Sequence, residues 1–165
     1  GIAGIAYALF AIPMGALAHK IGRRKLIQTS LIALCVITGL FFAVSLFGPG
    51  VTAIKNSAFM VFLGLMFIYG VFWGSVITNS FPMLWQMSTF GNIGIYTGVY
   101  YLFSQSASIL APPITGLIID FTKLFKPSIE YQYSGIFLFA SMCMLAAFFV
   151  MKGVRHGEAE DKPLA

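Results

Sequence analysis

From Asn56 to Ile119 the sequence contains no Asp, Glu, Lys or Arg. A soluble domain draws about a quarter of its residues from those four types to face water, so a stretch this long without any has no way to coat itself. The rest of the chain agrees: of 165 residues, 59% are apolar, 16% aromatic and only 9% charged. Disorder needs low hydrophobicity with high charge, and collagen-like structure needs a fixed Gly period; neither is present. The solvent for this chain is a lipid bilayer.

A helix crosses a hydrocarbon core of ~30 Å with about 20 apolar residues at ~1.5 Å per residue. Five stretches qualify: residues 1–18, 26–47, 58–79, 95–119 and 133–151. Two spans joined by a short uncharged turn account for the uncharged run. A membrane barrel would show segments of about 10 residues alternating apolar and polar, whereas these segments are apolar on every face. A lone segment in lipid satisfies its own backbone only as a helix. The fold class is therefore all-α, a polytopic transmembrane helix bundle over residues 1–151 with a tail over 152–165.

Charge orients the bundle, because cytoplasmic loops retain Lys and Arg. Lys20, Arg23, Arg24 and Lys25 follow the first span, and Lys152, Arg155 and Lys162 follow the fifth. Five spans put both groups on one side, against Lys55, Lys123 and Lys126 on the other, so the loop and the C-terminus are expected in the cytoplasm. The net charge of +5 is thus topological and is no sign of nucleic-acid binding. Basic residues beside a membrane also attract anionic lipid headgroups, by about 1 kcal/mol each.

No metal-ligand spacing or cofactor motif is visible. Cys35 and Cys143 fall within spans and read as small core residues. The chain opens at Gly1 without a Met or a charged leader and runs straight into an apolar helix, which reads as a fragment without a signal peptide.

The most informative local stretch is Gly15-Ala-Leu-Ala-His-Lys-Ile-Gly-Arg-Arg-Lys25. Four fixed cations at bilayer depth would cost roughly 10 kcal/mol or more, so they end the span, and Gly22 supplies a tight turn. On charge alone this is a positive-inside hairpin. Its spacing, however, resembles the signature loop of the major facilitator superfamily, Gly-x-Leu-x-Asp-x-x-Gly-Arg-Arg/Lys-x, with Gly15, Leu17, Gly22, Arg23, Arg24 and Lys25 on its positions and His19 where the family has Asp.

That resemblance implies a twelve-helix carrier, with the loop joining helices two and three and a weaker copy between eight and nine. Four spans follow the loop here, so the five spans resemble helices eight to twelve, and seven helices are expected upstream. Asn79-Ser-Phe-Pro-Met83, Ile95-Tyr-Thr-Gly-Val-Tyr-Tyr-Leu-Phe-Ser-Gln105 and Ala111-Pro-Pro-Ile-Thr-Gly116 are similar to helices ten and eleven of the proton-coupled sucrose and glycoside branch. The resemblance implies alternating access in the plasma membrane, with a small polar solute and a proton as partners and membrane lipids around them. The loop's family role is a latch between halves, so Gly15, Gly22 and Arg23 are expected to govern conformational exchange. With His19 in place of Asp, that latch has different electrostatics.

Inverted repeats of three helices place matching features on opposite faces. Gly15-x-x-x-His19 closes the first span and Gly116-x-x-x-Asp120 the fourth, in the phase such a repeat requires. Gly70-x-x-x-Gly74 and Gly94-x-x-x-Gly98 are expected to allow close helix approach, while Pro13 and the pair Pro112 and Pro113 are expected to kink their helices. Ordinary membrane packing also uses Gly and Pro.

A sugar-type solute needs uncharged hydrogen-bonding groups and an aromatic face. Trp73, Ser75, Thr78 and Asn79 mark the third span; Tyr96, Tyr100, Tyr101, Ser104, Gln105 and Ser108 mark the fourth. Tyr100, Ser104 and Ser108 recur every four residues and share a face beside Gln105. Such a stripe must face protein or water, and it reads either as a binding surface or as interhelical glue. The family cavity, lined in this half by helices seven, eight, ten and eleven, favours Asn79, Tyr100 and Gln105 as solute ligands, with Tyr7 a lesser candidate.

Proton coupling needs an ionisable group within the membrane. None lies mid-span: His19 and Asp120 close spans and Glu130 is in the outer loop. A coupling carboxylate is therefore expected upstream of Gly1. The scattered singletons form no constellation for an enzyme, and no filter loop or charged ring marks a channel. A non-transporting sensor on the same fold, or a carrier for another small molecule, stays open. The outer loop 121–132 is amphipathic, with Lys123 and Lys126 among Phe121, Leu124 and Phe125, and reads as interfacial. The tail, with Glu158, Glu160 and Asp161 among its cations, reads as solvated.

Overall fold

The computed structural model describes residues 1–47, 56–89, 91–125 and 129–154. These form five helices: α1 (Ile2–Ile21), α2 (Arg23–Phe47), α3 (Asn56–Gln86), α4 (Ile93–Phe125) and α5 (Ile129–Gly153). All five are long and apolar enough to cross a membrane, and no strand occurs among the described residues. The all-α, five-span expectation holds. Lys55, Lys126, Arg155 and Lys162, with the tail from residue 155, lie outside the described residues.

The helices overrun the spans expected from hydropathy. α3 continues from Asn79 through Pro82 to Gln86, and α4 continues past Asp120 to Phe125. The first polar residue marks the lipid boundary, but a helix needs only internal hydrogen bonds and proceeds beyond it into the interface. Lys123 Nζ donates to Asp120 Oδ1 at 2.8 Å, one turn apart, which supports that extension. At ~1.5 Å per residue, α4 is about 50 Å long and exceeds the hydrocarbon thickness. Pro13, Pro112 and Pro113 all lie inside unbroken helix and end no segment.

In space the helices follow the order α1, α3, α2, α5, α4. α2 is therefore the centre of the bundle. Its buried positions are Arg23, Leu26, Ile27, Ser30, Leu31, Leu34, Ile37, Thr38 and Phe41, a three-and-four spacing that traces one stripe. Its outward face is Ile32, Val36, Leu40 and Val44. From Ile32 onward the outer stripe is apolar, with exposed Lys25 and Thr29 at its loop end, while Ser30 and Thr38 lie on the buried stripe, because lipid is the less polar surrounding. Hydropathy along the sequence is blind to this face.

Each neighbour is fastened by small or polar groups. Ser30 Oγ donates to Ser75 Oγ at 3.0 Å between α2 and α3, fully buried. Ser141 Oγ donates to the Cys35 carbonyl at 3.2 Å between α5 and α2. Phe41 packs against Phe62 and Phe137 with centroids at 5.4 and 5.5 Å, joining α2 to α3 and α5. The core reading of the cysteines needs correction: Cys35 is half-buried at the α2–α5 contact, whereas Cys143 is exposed.

The Gly70-x-x-x-Gly74 expectation holds in detail. A Cβ at Gly70 would collide with the Ala3 backbone of α1, and one at Gly74 would lie 2.6 Å from Tyr7 Cδ2. Gly94 and Gly98 do not repeat this: a Cβ at either meets nothing within 4 Å. α4 has no buried residue and reaches the bundle mainly through α5, where Thr122 Oγ1 donates to the Gln132 carbonyl at 2.6 Å, with a smaller contact to α3. The close α4–α5 contact uses Gly135 instead, whose Cβ would come within 2.7 Å of Thr122 Cγ2.

Candidate functional site

The basic loop is a single residue. α1 ends at Ile21 and α2 begins at Arg23, so Gly22 alone turns the chain, at φ 94° and ψ 133°. It is the only residue with positive φ among those described, and a side chain there would be strained. Its N–H donates to the Ala18 carbonyl at 3.0 Å, and its own carbonyl accepts from Leu26 N–H at 3.1 Å. One glycine thus closes one helix and opens the next, and Arg23, Arg24 and Lys25 become the first turn of α2.

These cations do not share one environment. Lys20 and Lys25 are exposed. Arg24 sends Nη2 to the Lys152 carbonyl at 2.7 Å, and Gln28 Nε2 donates to the Met151 carbonyl at 3.3 Å, so the start of α2 caps the end of α5. Arg23 is buried at 8% exposure, and among the described residues its Nη1, like Nε of Arg24, has no hydrogen-bond partner. Burial thus separates Arg23 from Lys20 and Lys25, a difference that charge placement along the sequence does not carry.

Beside Arg23 an open cavity of about 490 Å³ lies between α1 and α3. Ala11, Ile12, Gly15, Ala16 and His19 line it from α1, Thr78, Asn79 and Pro82 from α3, and Arg23 from the start of α2. The α1 members fall on one helical face by their spacing. The close approach at Gly70 and Gly74 holds the two helices together farther along. Gly15 leaves room here: an added Cβ would meet only Thr78 Cγ2, at 3.8 Å. Leu17 is half-buried and is not part of the lining.

The solute candidates do not converge. Asn79 is buried at 1% exposure, donates Nδ2 to the Ser75 carbonyl at 2.8 Å, and joins the loop cavity. Tyr7 and Trp73 are partly exposed, at 37% and 39%. Tyr7 packs over Gly74, and Trp73 stacks on Tyr69 with centroids at 6.4 Å. Tyr100 meets α3 through Phe81, with centroids at 5.2 Å. Ser108 Oγ donates to the Ser104 carbonyl at 3.0 Å, and Ser104 Oγ reaches the Tyr101 carbonyl at 3.4 Å. Gln105 is exposed. The serines are satisfied within α4 and bridge no helices. Ser75, marked as a solute candidate or glue, is glue in this structure.

The lining by Pro82, Ala11, Ile12 and Ala16 was not foreseeable from residue type. The Gly15 and His19 spacing was a signal, because residues four apart share a face. Among the described residues no group of three His, Cys, Asp or Glu side chains is placed to hold a metal.

The model of the Major Facilitator Superfamily matches residues 1–164. The chain belongs to this superfamily. Comparison with curated proteins and with solved structures returned no match. Membership makes the chain an integral, multi-pass membrane protein of a transporter superfamily, and the five apolar helices agree.

Proposed function

We propose that the chain is the C-terminal five-helix portion, helices eight to twelve, of a proton-coupled secondary transporter in the plasma membrane. It moves a small polar solute, a sugar or glycoside, by alternating access. The observation that carries this reading is Gln105. It stands within a 33-residue apolar helix, it is exposed, and among the described residues no hydrogen bond reaches its side-chain amide. A carboxamide has two donors and two acceptor lone pairs, and leaving them against lipid would cost several kcal/mol. A water-filled cavity with a hydroxyl-rich solute satisfies them.

Tyr100 and Ser104 share the face of α4 next to Gln105, and Trp73 offers an aromatic face from α3. An uncharged set of this kind suits a neutral polyol better than an ion. The basic loop, at the cytoplasmic end in this reading, serves exchange between inward and outward states. Bending at Pro13 and at Pro112 and Pro113 accommodates that exchange. The coupling carboxylate and the first copy of the loop belong to a segment upstream of Gly1.

The test is uptake of labelled mono- and disaccharides into vesicles holding the full-length protein, with and without an imposed proton gradient. Solute accumulation that collapses when the gradient is discharged, and falls at least tenfold in Gln105→Ala, is the expected result. Solute binding without accumulation would make the protein a sensor instead. Uptake unchanged by Gln105→Ala would remove α4 from the site.

A further inference from the structure

We propose that the cavity between α1 and α3 is a binding site for a phosphate group, with Arg23 as its principal ligand. The strongest ground is the state of Arg23. Arg23 is buried to 8% exposure and lines the cavity, and its occluded Nη1 has no hydrogen-bond partner among the described residues. A buried guanidinium donor without an acceptor is costly enough to call for one. Asp120, the only acidic side chain described, is already held by Lys123 at the far end of α4.

The remaining lining supplies what an oxyanion needs. His19 offers a ring N–H, Thr78 a hydroxyl, and Asn79 a second amide hydrogen beyond the one given to the Ser75 carbonyl. Arg23 is also the first residue of α2, where the backbone amides precede the first intrahelical bond, made by Leu26. Guanidinium forks and helix N-termini both match the tetrahedral oxygens of phosphate. Exposed Lys20 and Lys25 at either side of the turn add positive potential.

The rest of the lining is different in kind. Ala11, Ile12, Ala16 and Pro82 offer no hydrogen-bonding side chains. The ligand is therefore a phosphate carried on an apolar body, as in a phospholipid headgroup at the membrane surface, or a free phosphate held at the polar rim alone. This inference is independent of the solute proposed above, since Gln105 and Tyr100 lie outside the cavity.

The experiment measures binding of phosphatidylglycerol to the purified chain in an uncharged detergent by native mass spectrometry. Inorganic phosphate is titrated in a parallel arm and followed by its ³¹P line width. Phosphatidylglycerol should be retained by the wild type and weakened about tenfold or more in Arg23→Gln, the loss expected for a charge-assisted bidentate contact. Lys25→Gln removes the same charge from an exposed position and should change affinity by no more than about threefold, as expected of a screened surface charge. Gly15→Ile fills the cavity with every cation kept and should weaken binding as Arg23→Gln does, which keeps the test decisive if Arg23→Gln fails to fold.

Displacement of the lipid by millimolar phosphate would identify free phosphate as the ligand, and lipid retained against phosphate would identify the headgroup. Equal loss in Arg23→Gln and Lys25→Gln, full binding in Gly15→Ile, or no binding in either arm would overturn the site.

Discussion

Substitution of Gly70 by Ala tests whether the backbones of α1 and α3 truly meet. A Cβ at that position would lie 2.7 Å from Ala3 Cα and 2.8 Å from the Ala3 carbonyl carbon. Carbon atoms prefer about 3.5–4.0 Å, so α1 must retreat by about 1 Å, and a gap of that size forfeits a quarter to a half of the local dispersion energy. The obstacle is backbone and has no rotamer through which to escape. Overpacking of this kind costs about 1–3 kcal/mol, against a helix-propensity gain of about 0.5–1 kcal/mol for replacing Gly by Ala.

Gly64, on the same helix, is the internal control. It is exposed, and an added Cβ meets nothing within 4 Å, so Gly64→Ala should show the propensity gain alone. Gly74→Ala should fall between the two, because its closest obstacle is the movable Tyr7 ring. Both tryptophans, Trp73 and Trp85, lie on α3, so Trp emission during thermal unfolding in detergent reports this helix directly. The expected order of melting temperature is Gly64→Ala at or above wild type, then Gly74→Ala, then Gly70→Ala. A Gly70→Ala chain that melts as high as Gly64→Ala would refute the close approach and, with it, the walls of the cavity.

Two further outcomes follow from particular contacts. Gly22→Ala places a side chain at φ 94° and ψ 133°, outside the left-handed helical region, and should cost about 1–3 kcal/mol, read as a lowered melting temperature; Gly22→Asn should cost as much, because Asn tolerates positive φ only at ψ of about 30–60°. Ser30→Ala strands a buried hydroxyl on Ser75, so a double-mutant cycle on the pair should give a coupling of about 0.6 kcal/mol, the typical value inside a membrane bundle; zero coupling would mean that the 3.0 Å bond contributes nothing.

Residue types alone determined the solvent, the number of spans and the position of the turn. An uncharged run from Asn56 to Ile119 leaves only lipid, and in lipid only a helix satisfies its own backbone. Gly22 among four cations marks the turn because few residues other than glycine adopt positive φ and few charges stay at bilayer depth. Gly70 and Gly74 were legible as a close contact for the same reason of size.

The tertiary structure alone decided which face of each helix is inside. In water the buried face is the apolar one and can be read from periodicity, but in lipid every face is apolar and burial follows fit. That is why Gly70 and Gly74 pack while Gly94 and Gly98 face open space, although the two motifs are alike in sequence. It is also why Ser30 and Ser75 pair while Ser104 and Ser108 bond back into their own helix. Four adjacent cations look equivalent until packing separates them: Lys20 and Lys25 stay exposed, Arg24 caps α5, and Arg23 is carried beneath the surface beside Asn79, which lies 56 positions away in sequence. No local pattern encodes that meeting, because it depends on α1 and α3 being held together by glycines more than a full turn away.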